Sequence, residues 1–327
     1  MDFILPFQPV SSPQKISHDQ KLMLIGSCFT EEIGMRLSNA KFKVMQNPNG
    51  IIYDPLSISA ALQSYADNVL FTFDDLFKSD ELFHSWSHHS DFSGPIPEEV
   101  ISKINRSRAK AHDFLRQVRW LFITFGTAYY YKLRGNQQPV ANCHKVPSKN
   151  FEKHLIEIND AFQSIQTVVK NIHSINPECR IVLTVSPVRH VKDGVIENAR
   201  SKARLIELCH LLRASDEKIE YFPSYELVID VLRDYRFFEK DLVHVNDSSV
   251  DFIFSKFCDV YFNSDTLELM KEINAIRLAM QHKPFYPESV AHKHFLRRQL
   301  QKIDMLQRAH PSIDFSEELE YFSLRVS

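Results

Sequence analysis

Glycine is scarce in this chain, with 7 in 327 residues. None of the seven forms the Gly-x-Gly-x-x-Gly or Gly-x-x-x-x-Gly-Lys spacing that cradles phosphates, so the usual nucleotide folds and a dinucleotide cofactor are disfavoured. An excess of one charge is lacking too: 39 Lys and Arg face 41 Asp and Glu, a formal net charge of −2. That balance carries no electrostatic footprint for nucleic acid or an anionic membrane. The cysteines Cys28, Cys143, Cys179, Cys209 and Cys258 are odd in number and dispersed, which argues against a disulfide framework. No basic start leads into an apolar core near Met1, and no run approaches the ~20 residues of a membrane span. The expectation is a reduced, cytoplasmic protein without cofactor, whose partner is a small molecule or another protein.

With so few glycines, the places where they do occur are informative. Gly26 ends the apolar run Lys21-Leu22-Met23-Leu24-Ile25, which has the length of a strand. Beyond it, Glu31 and Glu32 followed by Ile33, Met35 and Leu37 read as the start of a helix, acidic where the helix dipole favours acid. Ser27 therefore sits on a strand-turn-helix junction at the carboxyl end of a strand, where open α/β sheets bind ligands and backbone N–H groups can meet an oxyanion. Taken alone, the simpler reading of Ser27 or Thr30 is a helix cap. Cys28 is a rival nucleophile, but consecutive side chains diverge and a small buried hydrophobe is its plainer role.

A serine hydroxyl needs an imidazole within hydrogen-bond reach, and the imidazole a carboxylate that fixes its tautomer. Asp241-Leu242-Val243-His244 places both within three positions. By itself such a pair is common, and Asp241 reads also as a solvated loop acid or a cap. Runs at 120–125 and 180–185 end at Gly126 and at Ser186-Pro187 and read as central parallel strands, with a weaker strand at 218–222. Helical spacing covers 56–65 after the cap-then-proline pair Asp54-Pro55, then 151–172, 199–212 and 250–262. From 267 to 280 and 295 to 306 the chain turns charged, amphipathic and helical. The expected organisation is a catalytic domain over 1–262 with a helical extension over 263–327 packed on it. His84 and His88 would share a helical face, yet no third ligand has convincing spacing, and the run enters the turn-rich Ser90 to Pro95. No metal is expected there. Arg189 and His190 follow a strand end, where they could meet a polar substrate group or form a structural ion pair.

The segment Leu24-Ile25-Gly26-Ser27-Cys28-Phe29-Thr30 resembles the signature of the GSCFA-domain family, within the wider SGNH (GDSL-like) hydrolases. Asn47-Pro48-Asn49-Gly50-Ile51-Ile52-Tyr53-Asp54-Pro55, Thr124-Phe125-Gly126-Thr127-Ala128, Asn142-Cys143-His144-Lys145-Val146-Pro147, Ser186-Pro187-Val188-Arg189 and Leu232-Arg233-Asp234-Tyr235-Arg236-Phe237 are similar to it too, in the same order. The resemblance implies a three-layer α/β/α, flavodoxin-like parallel sheet with a C-terminal helical extension. It also implies Ser27 as nucleophile, His244 as base and Asp241 as orienter, with the N–H groups of Ser27 and Gly50 in the oxyanion hole. The superfamily commonly carries Gly-x-Asn-Asp in its third block, whereas Gly126-Thr127-Ala128-Tyr129 here puts Ala128 where the asparagine would be. Asn49, Asn142 and His144 are candidate replacements, and His144, His89 and Arg189 candidate substrate contacts. The expected activity is hydrolysis of a small-molecule or glycan acyl ester through an acyl-enzyme. An acyltransferase with the same triad, or a carbohydrate-binding module without turnover, are the alternatives.

Overall fold

The computed structural model describes residues 5–326. Five parallel strands form its central sheet, in the order Ile219–Tyr221, Arg180–Val185, Val118–Phe125, Lys21–Gly26, Lys43–Gln46. Counted along the chain this is the 2-1-3-4-5 order of flavodoxin-like sheets, whose direction of winding reverses between the first and third strands. Ser27 follows the first of those two strands.

Strand periodicity decides the layers, because successive side chains leave opposite faces. Leu22 and Leu24, with Trp120, Phe122 and Val182, pack beneath the helices Cys28–Asn39 and Asp247–Tyr261. Met23 and Ile25, with Leu121, Ile123, Phe125 and Leu183, meet the helices Pro55–Ala66, Pro97–Leu115, Ile158–Ile175 and Val195–Ser215 on the other face. These runs are apolar on both faces because both are covered, and the three-layer α/β/α architecture follows. The Asp54-Pro55 start holds as read: Asp54 Oδ1 accepts the Ser57 N–H at 3.0 Å, with Pro55 at the first helical position.

Two departures from the sequence reading have a physical cause. The helix expected from residue 151 begins at Ile158, because Phe151–Leu155 is a strand pairing antiparallel with Tyr129–Leu133, which in turn pairs with Pro139–Val140. A five-residue run satisfies both periods, and the partner strand some twenty residues earlier decides between them. The helical face expected for His84 and His88 is absent. His84 ends the strand Leu82–His84, which pairs with Phe77–Ser79, and His88 lies in the turn that follows. No group of three metal-ligating side chains occurs among the described residues.

The helices Ser264–Gln281, Val290–Ala309 and Ser316–Val326 enclose an apolar cluster of their own around Ile273, Leu296, Ile303 and Phe322. Lys41 ties this cluster to the sheet unit, pairing with Glu318 at 2.7 Å and lying over the Phe315 ring. Among the described residues no helix is long and apolar enough to cross a membrane.

Candidate active site

Gly26 sets the site. Its φ of 140° lies in the region glycine alone enters readily, and a Cβ there would come within 2.1 Å of the Thr124 carbonyl oxygen. Its N–H donates to Asn47 Oδ1 at 2.9 Å, and its carbonyl accepts from Ile52 at 3.2 Å. The first strand is thus pressed against the third at its carboxyl end, and the chain leaves the sheet at Ser27.

Ser27 is the N-cap residue of the Cys28–Asn39 helix, yet its side chain makes no capping bond. Its carbonyl accepts from the Thr30 N–H at 2.8 Å, while its residue is 1% exposed and its Oγ has no hydrogen-bond partner. Thr30 Oγ1 is buried and unpartnered as well. Neither hydroxyl acts as the cap that the sequence allowed. A buried hydroxyl without a partner costs about 1–3 kcal/mol, and such groups are rare enough in native structures to need a reason. Around it, a Cβ on Gly126 would stand 3.2 Å from Ser27 Cβ and 3.0 Å from the Tyr53 ring, so the bare Gly126 backbone forms one wall. Tyr53 makes an edge contact with His190, their ring centroids 5.4 Å apart.

The second half of the candidate site is a loop after the last sheet strand. Asp241 Oδ2 and His244 Nδ1 are 2.6 Å apart, and Asp241 Oδ1 accepts the N–H groups of Val243 and His244 at 2.9 and 3.0 Å. Led by the His244 bond, these contacts hold the Asp241 carboxyl down at about 2. Leu242 takes φ 59° to close the turn. Arg189 fixes the loop from below: its N–H donates to Val243 O and its Nη1 to Leu242 O, both at 3.2 Å, with the guanidinium 4.2 Å over the Phe238 ring. The His244 side chain is 53% exposed, and no hydrogen bond joins it to Ser27 Oγ among the described residues.

The GSCFA family model matches residues 21–257, nearly three quarters of the chain, and the model of the GSCFA C-terminal domain matches 273–327. The chain belongs to the GSCFA family. No curated protein matches it in sequence. Among solved structures, a Streptococcus pneumonia protein provisionally assigned as a platelet activating factor is similar over 73% of this chain and 83% of its own, at 11% identity and a TM-score of 0.40. A carbohydrate esterase family 3 protein from Talaromyces cellulolyticus is similar over 78% and 99%, at 9% identity and a TM-score of 0.36. Overlap that loose carries no argument about the reaction.

In this GSCFA chain the other expected site residues are spread over several places. Gly50, at φ 74°, has its N–H on Asn47 O at 2.7 Å, and the Ser27 N–H donates to Thr124 O at 3.2 Å. Both expected oxyanion donors are therefore engaged by backbone carbonyls. Asn49 accepts from Tyr65 Oη at 2.7 Å and donates to Ser87 O at 3.1 Å, which ties its amide into the fold, and Asn142 accepts the His144 N–H at 2.8 Å. His144 is buried, with Nε2 on Ser85 O at 2.8 Å and its ring against His84 and Phe77; burial pushes its pKa down. His89 packs its Cβ against Gly50 and pairs with Asp91 at 3.0 Å, so it borders the Gly50 turn. Arg189, a candidate substrate contact, has its guanidinium engaged in holding the His244 loop. Ala128 is fully buried in the core, its N–H on Ser201 Oγ at 2.7 Å.

Sequence reasoning missed Asn47, Tyr53 and Lys202 as individual residues. Asn47 and Tyr53 lay inside a recognised stretch but have ordinary loop chemistry. Lys202 had a readable signal, since Asn198, Lys202, Leu205, Cys209 and Leu212 fall on one helical stripe, and all are buried.

Proposed function

We propose that this GSCFA protein is a serine-dependent acyl-transfer enzyme that hydrolyses carboxylic esters through a covalent acyl-enzyme. One observation carries the reading: a buried, unpartnered Ser27 hydroxyl at the switch point of the sheet, in a molecule that also builds a hydrogen-bonded Asp241–His244 pair on a loop beyond the same carboxyl edge. His244 Nε2 takes the proton from Ser27 Oγ as it adds to the ester carbonyl, then gives it to the departing alcohol. Asp241 keeps Nδ1 protonated and stabilises the imidazolium. Water then adds to the acyl-enzyme with His244 again as base. Closure of the half-exposed His244 onto Ser27 is a required step, since catalytic bonds often tighten only with substrate bound. The oxyanion is met by the Ser27 and Gly50 N–H groups once they leave Thr124 O and Asn47 O. A cleft of about 560 Å³ bordered by Asn49, Phe71, Ser87 and Gln163 has no charged side chain in its wall, and none of Ser27, Asp241 and His244 lines it, so it does not define the acyl site. Transfer to an acceptor hydroxyl uses the same residues, and product partition with added alcohol or sugar separates it from hydrolysis.

A second reading, a ligand-binding module without turnover, is favoured by the engaged N–H donors and the absent Ser27–His244 bond. The two are separated by an organophosphonate probe and a panel of chromogenic esters, acetyl sugars and thioesters. Labelling of the wild type and not of Ser27→Ala supports the enzyme; absence of labelling and turnover in both supports the binding module. His244→Ala should lower turnover by roughly four to six orders of magnitude, and Asp241→Asn by a comparable or smaller factor. A loss of only severalfold in His244→Ala excludes the triad.

A further inference from the structure

An ammonium group is seldom buried without a carboxylate beside it, because desolvation of the charge is then uncompensated. Lys202, 1% exposed in the Val195–Ser215 helix, is such a group. Its Nζ donates to Gly126 O at 2.7 Å and to Ser186 O at 2.8 Å. Those two carbonyls directly follow the Val118–Phe125 and Arg180–Val185 strands, which are neighbours in the sheet. Gly126 is also the residue packed against Ser27 Cβ. The titratable groups facing Lys202 are Cys28 at the start of the Ser27 helix, His190 on the turn after Ser186, and Tyr225, whose ring centroid is 5.9 Å away on the short helix Ser224–Glu226. None of them is a carboxylate.

We propose that Lys202 is a positioning residue of the Ser27 site, joining the two strand ends that floor it and lending an unpaired positive charge to the negative charge that forms when Ser27 adds to an ester carbonyl. This rests on the acyl-transfer reading above and deepens it. Burial pulls the Lys202 pKa down to about 7, with Cys28 opposing. The charge is therefore present below neutrality and lost above it, and acylation should slow on the alkaline side.

The test is the rate of organophosphonate labelling of the full-length protein, followed by intact mass, in wild type, Lys202→Met and Lys202→Gln. Glutamine keeps an N–H donor without the charge. Both variants should label roughly ten- to a hundredfold more slowly than wild type. Alkylation of Cys28 by iodoacetamide, mapped by peptide mass, should move to higher pH in both, a readout that loss of a merely structural contact would not shift. Wild type labelled, with both variants labelled at the same rate or with an unmoved Cys28 profile, overturns the proposal and leaves the Ser27 reading standing. A wild type that neither labels nor turns over any ester overturns both. If neither variant melts cooperatively, the wild-type profile decides: a labelling rate that stays level from neutrality to pH 9 overturns the proposal.

Discussion

Ser27→Ala separates a nucleophile from a helix cap by the sign of its effect on stability. The native hydroxyl is buried, caps nothing and has no partner. Replacing the hydroxymethyl group by a methyl removes a desolvated polar atom and leaves every other bond of the residue, all of them backbone, in place. Relief of an unsatisfied hydroxyl is worth about 1–3 kcal/mol. For a chain of 327 residues the unfolding entropy near 60 °C is about 0.7 kcal/mol per degree, so each kcal/mol moves Tm by about 1.5 °C. Ser27→Ala should raise Tm by about 1.5–4.5 °C, while turnover on the best ester of the panel falls by roughly four to six orders of magnitude. The loss of a working cap would instead cost about 0.5–2 kcal/mol and lower Tm by about 1–3 °C. Calorimetry of both proteins under one buffer condition, alongside the ester assay, is the measurement. A lowered Tm with turnover retained refutes the reasoning, because the hydroxyl would then be a structural bond.

Gly26→Ala forces a Cβ against the Thr124 carbonyl at a φ of 140° and should cost roughly 3 kcal/mol or more with loss of labelling at Ser27; a variant as stable as wild type in urea would contradict the close approach of the two strands. Burial lowers the pKa of His18 to about 4 and of His88 to about 3. The folded protein keeps both neutral while the unfolded chain protonates them below about 6.5, so stability falls as pH drops from 6.5 toward 4, by about 2 kcal/mol per histidine at pH 5. Urea midpoints that hold steady between pH 7 and 5 would exclude this. The Arg108 guanidinium is buried with none of its three nitrogens partnered, so Arg108→Met should leave Tm unchanged or higher; a fall of more than about 5 °C would mean that the guanidinium is held by a contact worth several kcal/mol.

Parts of this molecule were legible because they rest on neighbours in the sequence. The alternation of Leu22, Met23, Leu24 and Ile25 between two apolar clusters follows from the pleat alone. Asp241 reaches His244 because a three-residue turn closes on itself, and Asp54-Pro55 starts its helix by the geometry of one turn. Hence four of the five central strands and most of the covering helices were readable, with ends off by a few residues, whereas the strand Lys43–Gln46 and the helix Pro97–Leu115 were not read. Phe151–Leu155 was misread because its period is ambiguous until Tyr129–Leu133 pairs with it. Arg189 was read as a candidate substrate contact or a structural ion-pair residue, and the partners its guanidinium takes, Phe238 and Leu242 O, lie some fifty residues away in the chain.

The sequence by itself determined most of the central strands and covering helices, the faces they bury, and that a serine, a carboxylate and an imidazole lie on turns. Those are outcomes of backbone sterics, side-chain periodicity and contacts within a few residues. Only the tertiary structure decided that Ser27 Oγ is left without a partner, that Lys202 bridges Gly126 and Ser186 without a counter-ion, and that the Ser27 and Gly50 N–H groups rest on carbonyls. Each of these depends on groups brought together by packing across the sheet, where desolvation and available partners differ from site to site and leave no local pattern in the chain.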